Sequence, residues 1–224
     1  MSAGGASPRP SVFGLYGIAG RDPGPGGVAR DPLEVARALC IGGAACVQLR
    51  LKGLPAGEVL SCARAVGALC REAGVAFIVN DRADVAALAG ATGVHVGPSD
   101  LPPEAARRVL GPGAVVGVST HDPDAVRAAL DAGADYLGFG PVFDSVAKAG
   151  VRSARGLDAL AEAVRLAGPV PVVAIGGLTS PERARQARMA GAAGVAVLTG
   201  VAGRQDMEAA ARAFARACGV STET

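Results

Sequence analysis

The sequence lacks an apolar run long enough to cross a membrane, which takes about 18 residues. It also lacks an excess of either charge, since 22 Lys and Arg stand against 20 Asp and Glu, for a formal net charge of +2. A balance this close creates no broad field that would attract a nucleic acid or a membrane surface. We therefore expect no nucleic-acid partner and no membrane partner, and any functional positive charge must be local.

The cysteines lack the even count and close pairing of a disulfide framework. The five of them, Cys40, Cys46, Cys62, Cys70 and Cys218, lie among Ala, Val and Leu residues. Such surroundings are typical of buried thiols in a reducing compartment. The sequence therefore predicts a cytoplasmic protein whose cysteines act as small core hydrophobes.

The N-terminal segment has no apolar core of the kind that a secretion signal carries. Residues 1–11 are rich in Gly, Ser, Ala and Pro, so we expect a disordered tail there and a short second tail at residues 220–224. The chain is 50% hydrophobic, and residues 12–219 suffice for one large core. A second domain is not needed.

A short phrase of Ala and Gly recurs along the chain. Gly43, Gly90, Gly133 and Gly191 each follow a helix-like segment and precede an apolar run. A glycine just past a helix end can take the left-handed conformation that closes the last turn, and the apolar run suits a buried strand. Each interval between these glycines holds two strand–helix units, so the recurrence predicts a regular alternation.

Eight short apolar runs complete this alternation. Asp31, Asp122 and Ser180, each followed by Pro, are predicted caps of the helices between them. Continuous apolar strands favour a parallel sheet covered on both faces, closed into a single (β/α)8 TIM barrel. An open dinucleotide-binding sheet is the alternative, but no G-x-G-x-x-G motif follows the first strand. The predicted strands are Phe13–Gly17, Cys46–Arg50, Ala76–Asn80, Gly93–Val96, Val115–Val118, Tyr136–Phe139, Val172–Ile175 and Gly194–Leu198.

Polar residues collect just after the predicted strands, at the barrel end where this fold places its chemistry. Alternation within the second strand points Gln48 and Arg50 to one side, and Lys52 continues the row toward the rim. This row predicts an anion clamp, whereas an isolated pair of cations would be solvated loop charges. Further rim residues are Asn80, Asp81, Arg82, Gly97, Asp100, Ser119, Thr120, His121, Ser145 and Lys148.

Two aspartates on this rim are candidate metal ligands. Asp81 and Asp100 supply hard oxygen atoms from neighbouring loops, and Mg2+ is typically held by one or two carboxylates together with phosphate oxygens of a substrate. Asp100 has a second interpretation, because it stands just before the fourth helix and could cap it. The residues alone leave both alternatives open.

Glycine-containing pairs follow the last two strands. Gly176-Gly177 and Thr199-Gly200 would let backbone N–H groups approach a phosphate. The loop from Pro141 to Arg155 carries Lys148 and is long enough for a lid, although a surface excursion is its other interpretation. The sequence therefore predicts phosphate binding on this side of the rim.

The two histidines have different predicted roles. His95 lies within a strand, so we expect a hydrogen-bonded core or rim residue rather than a catalyst. His121 follows the fifth strand, on the rim that carries the other polar residues. It is therefore the histidine that could take part in a site.

Six segments resemble, in order, those of the thiamine-phosphate synthase family. The likeness runs from Tyr16 to the last strand. The order of all six makes the superfamily assignment specific. The segments are VQLRLK at 47–52, VNDRADVA at 79–86, GVHVGPSDLP at 93–102, GVSTH at 117–121, GADYLGFGPVF at 133–143 and AIGGLT at 174–179.

The resemblance implies a transferase that joins 4-amino-2-methyl-5-hydroxymethylpyrimidine diphosphate to 4-methyl-5-(2-hydroxyethyl)thiazole phosphate, giving thiamine phosphate and diphosphate. These two small phosphorylated substrates are the expected partners, and a homo-oligomer is left open. By motif match, Asp81 and Asp100 would hold Mg2+, and Arg50, Ser119 and Lys148 would be catalytic. Substrate-binding residues implied in the same way are Gln48, Arg50, Lys52, Asn80, Ser119 and Lys148 around the pyrimidine diphosphate, Gly177, Leu198 and Thr199 at the thiazole phosphate, and Ser145 beside them.

Three positions depart from the family pattern. Leu51 stands where the family has an acid, Pro98 replaces a Gln, and Ala147 replaces a hydroxyl residue ahead of Lys148. The contacts to the thiazole phosphate are therefore the part of the site that the motifs support least.

Two alternative functions follow from the same residues. The related thiazole tautomerases share the fold and the phosphate site, and their S-x-H histidine would match His121. A barrel that binds thiamine precursors without catalysis is the other alternative. Asp81, Asp100, Lys52 and Lys148 favour the synthase, because a tautomerase has no diphosphate leaving group that requires a metal.

Overall fold

Eight parallel strands close into a barrel, each hydrogen-bonded to the next in chain order, with the last pairing back on the first. The prediction of a (β/α)8 TIM barrel is confirmed. This computed structural model describes residues 13–21, 27, 29–144 and 153–219. The strands are β1 Gly14–Gly20, β2 Cys46–Arg50, β3 Ala76–Asn80, β4 Gly93–Val96, β5 Val115–Thr120, β6 Tyr136–Phe139, β7 Val172–Ile175 and β8 Gly194–Val197.

Helices follow the strands along the described chain and cover the outside of the barrel. All three predicted caps are confirmed, because the side chains of Asp31, Asp122 and Ser180 accept hydrogen bonds from backbone N–H groups in the first turns. None of the helices within the described ranges is both long and apolar enough for a membrane span. The helices are α1 Pro32–Ile41, α2 Ala56–Glu72, α3 Ala83–Ala89, α4 Pro103–Leu110, α5 Pro123–Asp131, α6 Gly156–Ala167, α7 Pro181–Met189, α8 Thr199–Ala202 and α9 Met207–Ala217.

The core has two layers because successive strand residues point to opposite faces. One layer fills the space between strands and helices, and a smaller one fills the inside of the barrel. The inner layer includes Tyr16, Ile18, Ile78 and Tyr136. All five cysteines are free thiols, and three of them are buried, as their apolar surroundings predict, whereas Cys40 and Cys62 are only partly buried.

Five of the eight strands have the bounds predicted for them, and three differ at their ends. β1 starts one residue later and runs on to Gly20, because Ile18, Ala19 and Gly20 pair with the end of β2. Ala19 and Gly20 carry little strand propensity of their own, so this end of the strand is set by the neighbouring strand. β5 likewise continues to Thr120, and β8 ends one residue earlier, at Val197.

Some predicted features lie outside the described residues. These are the two tails, at residues 1–11 and 220–224, and the central part of the loop after β6. That part of the loop contains Ser145, Ala147 and Lys148, so their predicted roles stay predictions.

Candidate active site

A cavity of about 450 Å3 opens at the carboxyl ends of the strands. Its floor is the top of the inner barrel layer, and its rim is formed by the loops after the strands. The structure brings ten of the predicted site residues together around it: Gln48, Arg50, Lys52, Asn80, Asp81, Asp100, Ser119, Gly177, Leu198 and Thr199.

The row from β2 faces this cavity as strand alternation predicts. Gln48 lies deep, with 4% of its surface exposed, and Arg50 stands above it at the end of the strand. Lys52 lies at the mouth, where its Nζ approaches Asp81 Oδ2 to 3.3 Å. The row therefore places the Gln48 amide deep in the cavity and the cations of Arg50 and Lys52 near its rim.

Asp81 occupies an unusual turn at the end of β3. Its φ is +64°, the left-handed region that Asp and Asn adopt more readily than other side chains. Its backbone N–H donates to the carbonyl oxygen of His95 at 2.8 Å, which ties the turn to the end of β4. The turn leaves the Asp81 side chain on the cavity wall.

Asp100 does not cap α4, so that alternative is wrong. Pro102 is the cap residue, without a side-chain hydrogen bond. Asp100 Oδ2 instead accepts from the backbone N–H of Gly97 at 2.8 Å, which closes its own loop at the rim. The side chain is thereby held on the cavity rather than on the helix.

The carboxyl of Asp100 affects that of Asp81. The pKa of Asp81 is raised above its ordinary value, first by burial and then by the neighbouring Asp100 carboxyl, while Lys52 opposes both effects. Two adjacent acids at the mouth are a donor set that suits a divalent cation. Within the described ranges no group of three or more His, Cys, Asp or Glu could hold a metal, so Mg2+ here would need further oxygens from substrate or water.

The glycine turn after β7 forms another part of the wall. Gly177 has a φ of +67°, and a Cβ there would lie 2.5 Å from the carbonyl oxygen of Phe143. Arg183 on α7 donates from Nη1 to the Gly177 carbonyl at 2.7 Å and lies 5.1 Å above the Phe143 ring. The turn is thus fixed with its backbone on the cavity. Sequence reasoning missed Arg183, because one Arg in a polar helix gives no signal of this contact.

The floor of the cavity carries a chain of hydrogen-bonded side chains. Gln48 Nε2 donates to the Tyr16 hydroxyl at 2.9 Å, and the hydroxyls of Tyr16 and Tyr136 are 2.8 Å apart. His95 contacts Tyr136 OH through Nδ1 at 3.0 Å and Ser119 Oγ through Nε2 at 2.9 Å. His95 is thus hydrogen-bonded within the barrel, as predicted. The tyrosines were missed, although strand alternation could have placed both inside.

His121 lies apart from this cavity, contrary to its predicted place on the polar rim. β5 continues through Thr120, and the chain then turns toward α5, so the His121 ring contacts Asp122 at 3.3 Å. It faces a separate depression lined also by Arg155 and Glu162. Of the departures from the family pattern, Pro98 lines the main cavity and Leu51 packs against the outer core.

Comparison with known proteins identifies the family of this chain. The model of the thiamine monophosphate synthase family matches residues 15–201. The chain is 48% identical over 206 residues to the thiamine-phosphate synthase of Anaeromyxobacter dehalogenans, covering 92% of this chain and 88% of that protein. It is 45% identical over 186 residues to the thiamine-phosphate synthase of Moorella thermoacetica, covering 83% of this chain and 88% of that protein.

A solved structure shares the whole architecture. The thiamine phosphate pyrophosphorylase from Pyrococcus furiosus matches with a TM-score of 0.82 at 33% identity, covering 93% of this chain and 96% of that chain. The family match, from residue 15 to residue 201, includes every residue that lines the cavity. The chain therefore belongs to the thiamine monophosphate synthase family.

Proposed function

We propose that this chain condenses 4-amino-2-methyl-5-hydroxymethylpyrimidine diphosphate with 4-methyl-5-(2-hydroxyethyl)thiazole phosphate, giving thiamine phosphate and diphosphate. The observation that carries the proposal is the mouth of the barrel, where Lys52 pairs with Asp81 beside Asp100 above a cavity of about 450 Å3. A cavity of this size suits small phosphorylated molecules. The absence of nucleic-acid and membrane partners and a cytoplasmic location stay predictions from the sequence, which leaves a homo-oligomer open.

The pyrimidine ring is proposed to occupy the floor of the cavity. Tyr16, Ile18 and Tyr136 give the floor flat or apolar surfaces, and Gln48 places a buried amide among them. An aromatic ring that carries an amino group needs both features, an apolar slot and a polar group that fixes its orientation. In this position the diphosphate extends toward the mouth.

The cations of the rim are proposed to bind the diphosphate. Arg50 and Lys52 stand on one wall, and the family resemblance adds Asn80, Ser119 and Lys148 to the same task. Asp81 and Asp100 would hold Mg2+, since two carboxylates at the mouth supply the oxygen ligands that this ion prefers. When bound, Mg2+ supplies a compact positive charge that stabilises the leaving diphosphate.

The reaction needs charge stabilisation and alignment more than proton transfer. The bond between the pyrimidine methylene carbon and the diphosphate oxygen breaks, and the oxygen keeps the electron pair. The thiazole nitrogen then supplies its lone pair to the carbocation that remains. Fixed cations over the diphosphate lower the barrier to the first step, and positioning of the thiazole favours the second.

The thiazole phosphate is proposed to bind at the glycine turn. Gly177, Leu198 and Thr199 line the same side of the cavity, and the glycine turn would let backbone N–H groups contact a phosphate oxygen. Ser145 is proposed to assist from the neighbouring loop. This arrangement sets the two phosphorylated groups on different walls, with the reacting atoms between them.

The proposal is tested by incubating the purified chain with both substrates and Mg2+ while following thiamine phosphate and diphosphate. We expect both products in equal amounts, and neither when one substrate or Mg2+ is left out. Diphosphate release without thiazole phosphate, or no turnover at all, would contradict the proposal. A parallel incubation with thiazole carboxylate phosphate tautomer alone tests tautomerase activity. His121, which would match the tautomerase histidine, lines a depression separate from the cavity and therefore does not support that activity.

A further inference from the structure

The hydrogen-bonded chain on the cavity floor has a direction that its members impose on one another. We propose that this relay, Gln48–Tyr16–Tyr136–His95–Ser119, runs one way and holds His95 as the neutral Nε2–H tautomer, so that the Ser119 hydroxyl donates into the cavity. His95, Tyr136 and Tyr16 are then positioning residues for Ser119. The direction of the hydrogen bonds does not depend on the reaction, whereas the role of Ser119 in substrate binding rests on the proposed function.

The direction begins at Gln48. Its side-chain N–H group donates to the Tyr16 oxygen, which leaves the Tyr136 oxygen, 2.8 Å away, and the Cys46 sulfur as acceptors for the single Tyr16 proton. Because sulfur is a weak acceptor, this proton is directed to Tyr136. The Tyr136 proton is in turn directed to His95 Nδ1. Burial raises the pKa of both tyrosines well above the ordinary value, so each hydroxyl keeps one proton and makes one donation.

The direction continues through the imidazole. The His95 ring lies between two hydroxyl groups, with Tyr136 OH at Nδ1 and Ser119 Oγ at Nε2, and such a buried environment favours the neutral ring with one N–H group. Because Nδ1 accepts from Tyr136, that N–H is on Nε2, and it donates to Ser119 Oγ at 2.9 Å. The Ser119 hydroxyl proton cannot point back at this donor. It is therefore free for an acceptor in the cavity that Ser119 lines.

Two strand glycines make room for this relay. A Cβ at Gly117 would lie 2.0 Å from Cζ of Tyr136, and a Cβ at Gly138 would lie 2.9 Å from Cε1 of His95. Glycine inside a strand is unfavourable, because it weakens packing and gives up conformational entropy. Glycine nevertheless occupies these two inward positions, because a side chain there would displace the rings. The positions of the Tyr136 and His95 rings therefore depend on glycines in the strands β5 and β6.

Nitrogen NMR of the substrate-free protein tests the direction. The chain has two histidines, so His121→Gln leaves His95 as the only imidazole signal and needs no other assignment. We expect a pyrrole-type Nε2 and a pyridine-type Nδ1 near neutral pH. The reverse pattern, with the proton on Nδ1, would mean that the Gln48 amide and every donor of the relay point the opposite way. It would overturn the proposal. A doubly protonated ring would overturn it as well. This result does not depend on which reaction the chain catalyses.

Kinetics test the consequence for Ser119. Tyr136→Phe keeps the ring in the cavity but removes the donor to His95 Nδ1, so we expect a mixture of tautomers and a fall in kcat of about 10-fold. Ser119→Ala removes the group that the relay positions. In the Ser119→Ala background, Tyr136→Phe should therefore cause less than a further 2-fold loss. Multiplicative losses in the double variant would contradict the positioning role while leaving the synthase activity itself established.

Discussion

Lys52 Nζ lies 3.3 Å from Asp81 Oδ2, across the gap between the loops that follow β2 and β3. The two side chains differ in exposure, at 60% for Lys52 and 26% for Asp81, so the acid forms part of the wall and the cation covers it. Such a pair adds little to stability at an exposed site. Its position at the mouth points instead to a role in holding a charged substrate.

Asp81→Asn should lower kcat by about 100-fold or more, because it removes one of two carboxylates proposed to hold Mg2+ where the leaving group departs. Asn is the informative replacement, since it tolerates the left-handed backbone at this position. Asp84→Asn is the matched control, because Asp84 is an exposed acid paired with Arg82. Turnover of Asp81→Asn near the level of that control would defeat the assignment of Asp81 as a metal ligand.

Lys52→Gln should raise KM for the pyrimidine diphosphate by about 10-fold, because it removes one rim cation from an anionic ligand. KM for the thiazole phosphate should change by less than 2-fold, since that substrate is proposed to bind on the other wall. Steady-state kinetics with each substrate varied in turn make the comparison. Equal effects on the two KM values would contradict the proposed separation of the two phosphorylated groups.

The barrel could be predicted from sequence because its signals are local. Glycines beyond helix ends and short apolar runs repeat along the chain, and Asp31 and Ser180 mark helix starts through contacts within three residues. The rim row of Gln48, Arg50 and Lys52 followed from alternation in the same way. These features need no knowledge of distant parts of the chain.

The relay could not be predicted because it depends on closure of the barrel. Tyr16 and Tyr136 are 120 positions apart, and only the packing of the inner layer brings their hydroxyls together. The position of Arg183 over the ring of Phe143, in the loop after β6, has the same character. His121 was misplaced for a local reason, since its position depends on where β5 ends and the chain turns outward.

Gly177→Ala should lower the free energy of unfolding more than Gly74→Ala does. Gly74 is the matched control, because its φ of +68° is nearly that of Gly177 while a Cβ there meets nothing within 4 Å. Gly74→Ala should therefore lower the free energy of unfolding only by the cost of the left-handed backbone, about 1 kcal/mol. At Gly177 the clash with Phe143 adds to it, by about 1–3 kcal/mol. Urea unfolding measures the free energy of unfolding of both variants. Equal decreases would show that the turn adjusts to the methyl group without strain.

The same substitution should weaken binding of the thiazole phosphate. A methyl group on the turn displaces backbone that is proposed to contact the phosphate, so KM for this substrate should rise by about 10-fold or more. Gly74→Ala should leave KM unchanged, because Gly74 lies between α2 and β3 and does not line the cavity. An unchanged KM in Gly177→Ala would remove the glycine turn from the proposed site.

His95 should make folding stability depend on pH. Its pKa falls from the ordinary 6.5 to about 4 in the folded chain, so between these values the unfolded chain binds a proton that the folded chain does not. The free energy of unfolding therefore decreases as pH falls from 6.5 to 4, by up to about 3 kcal/mol from this residue. His95→Gln should lose this component, whereas His121→Gln should keep it. Urea unfolding of the three proteins at several pH values isolates the effect, since the carboxyl groups are common to all of them. Parallel pH profiles for His95→Gln and the unaltered chain would show that His95 titrates alike in both states.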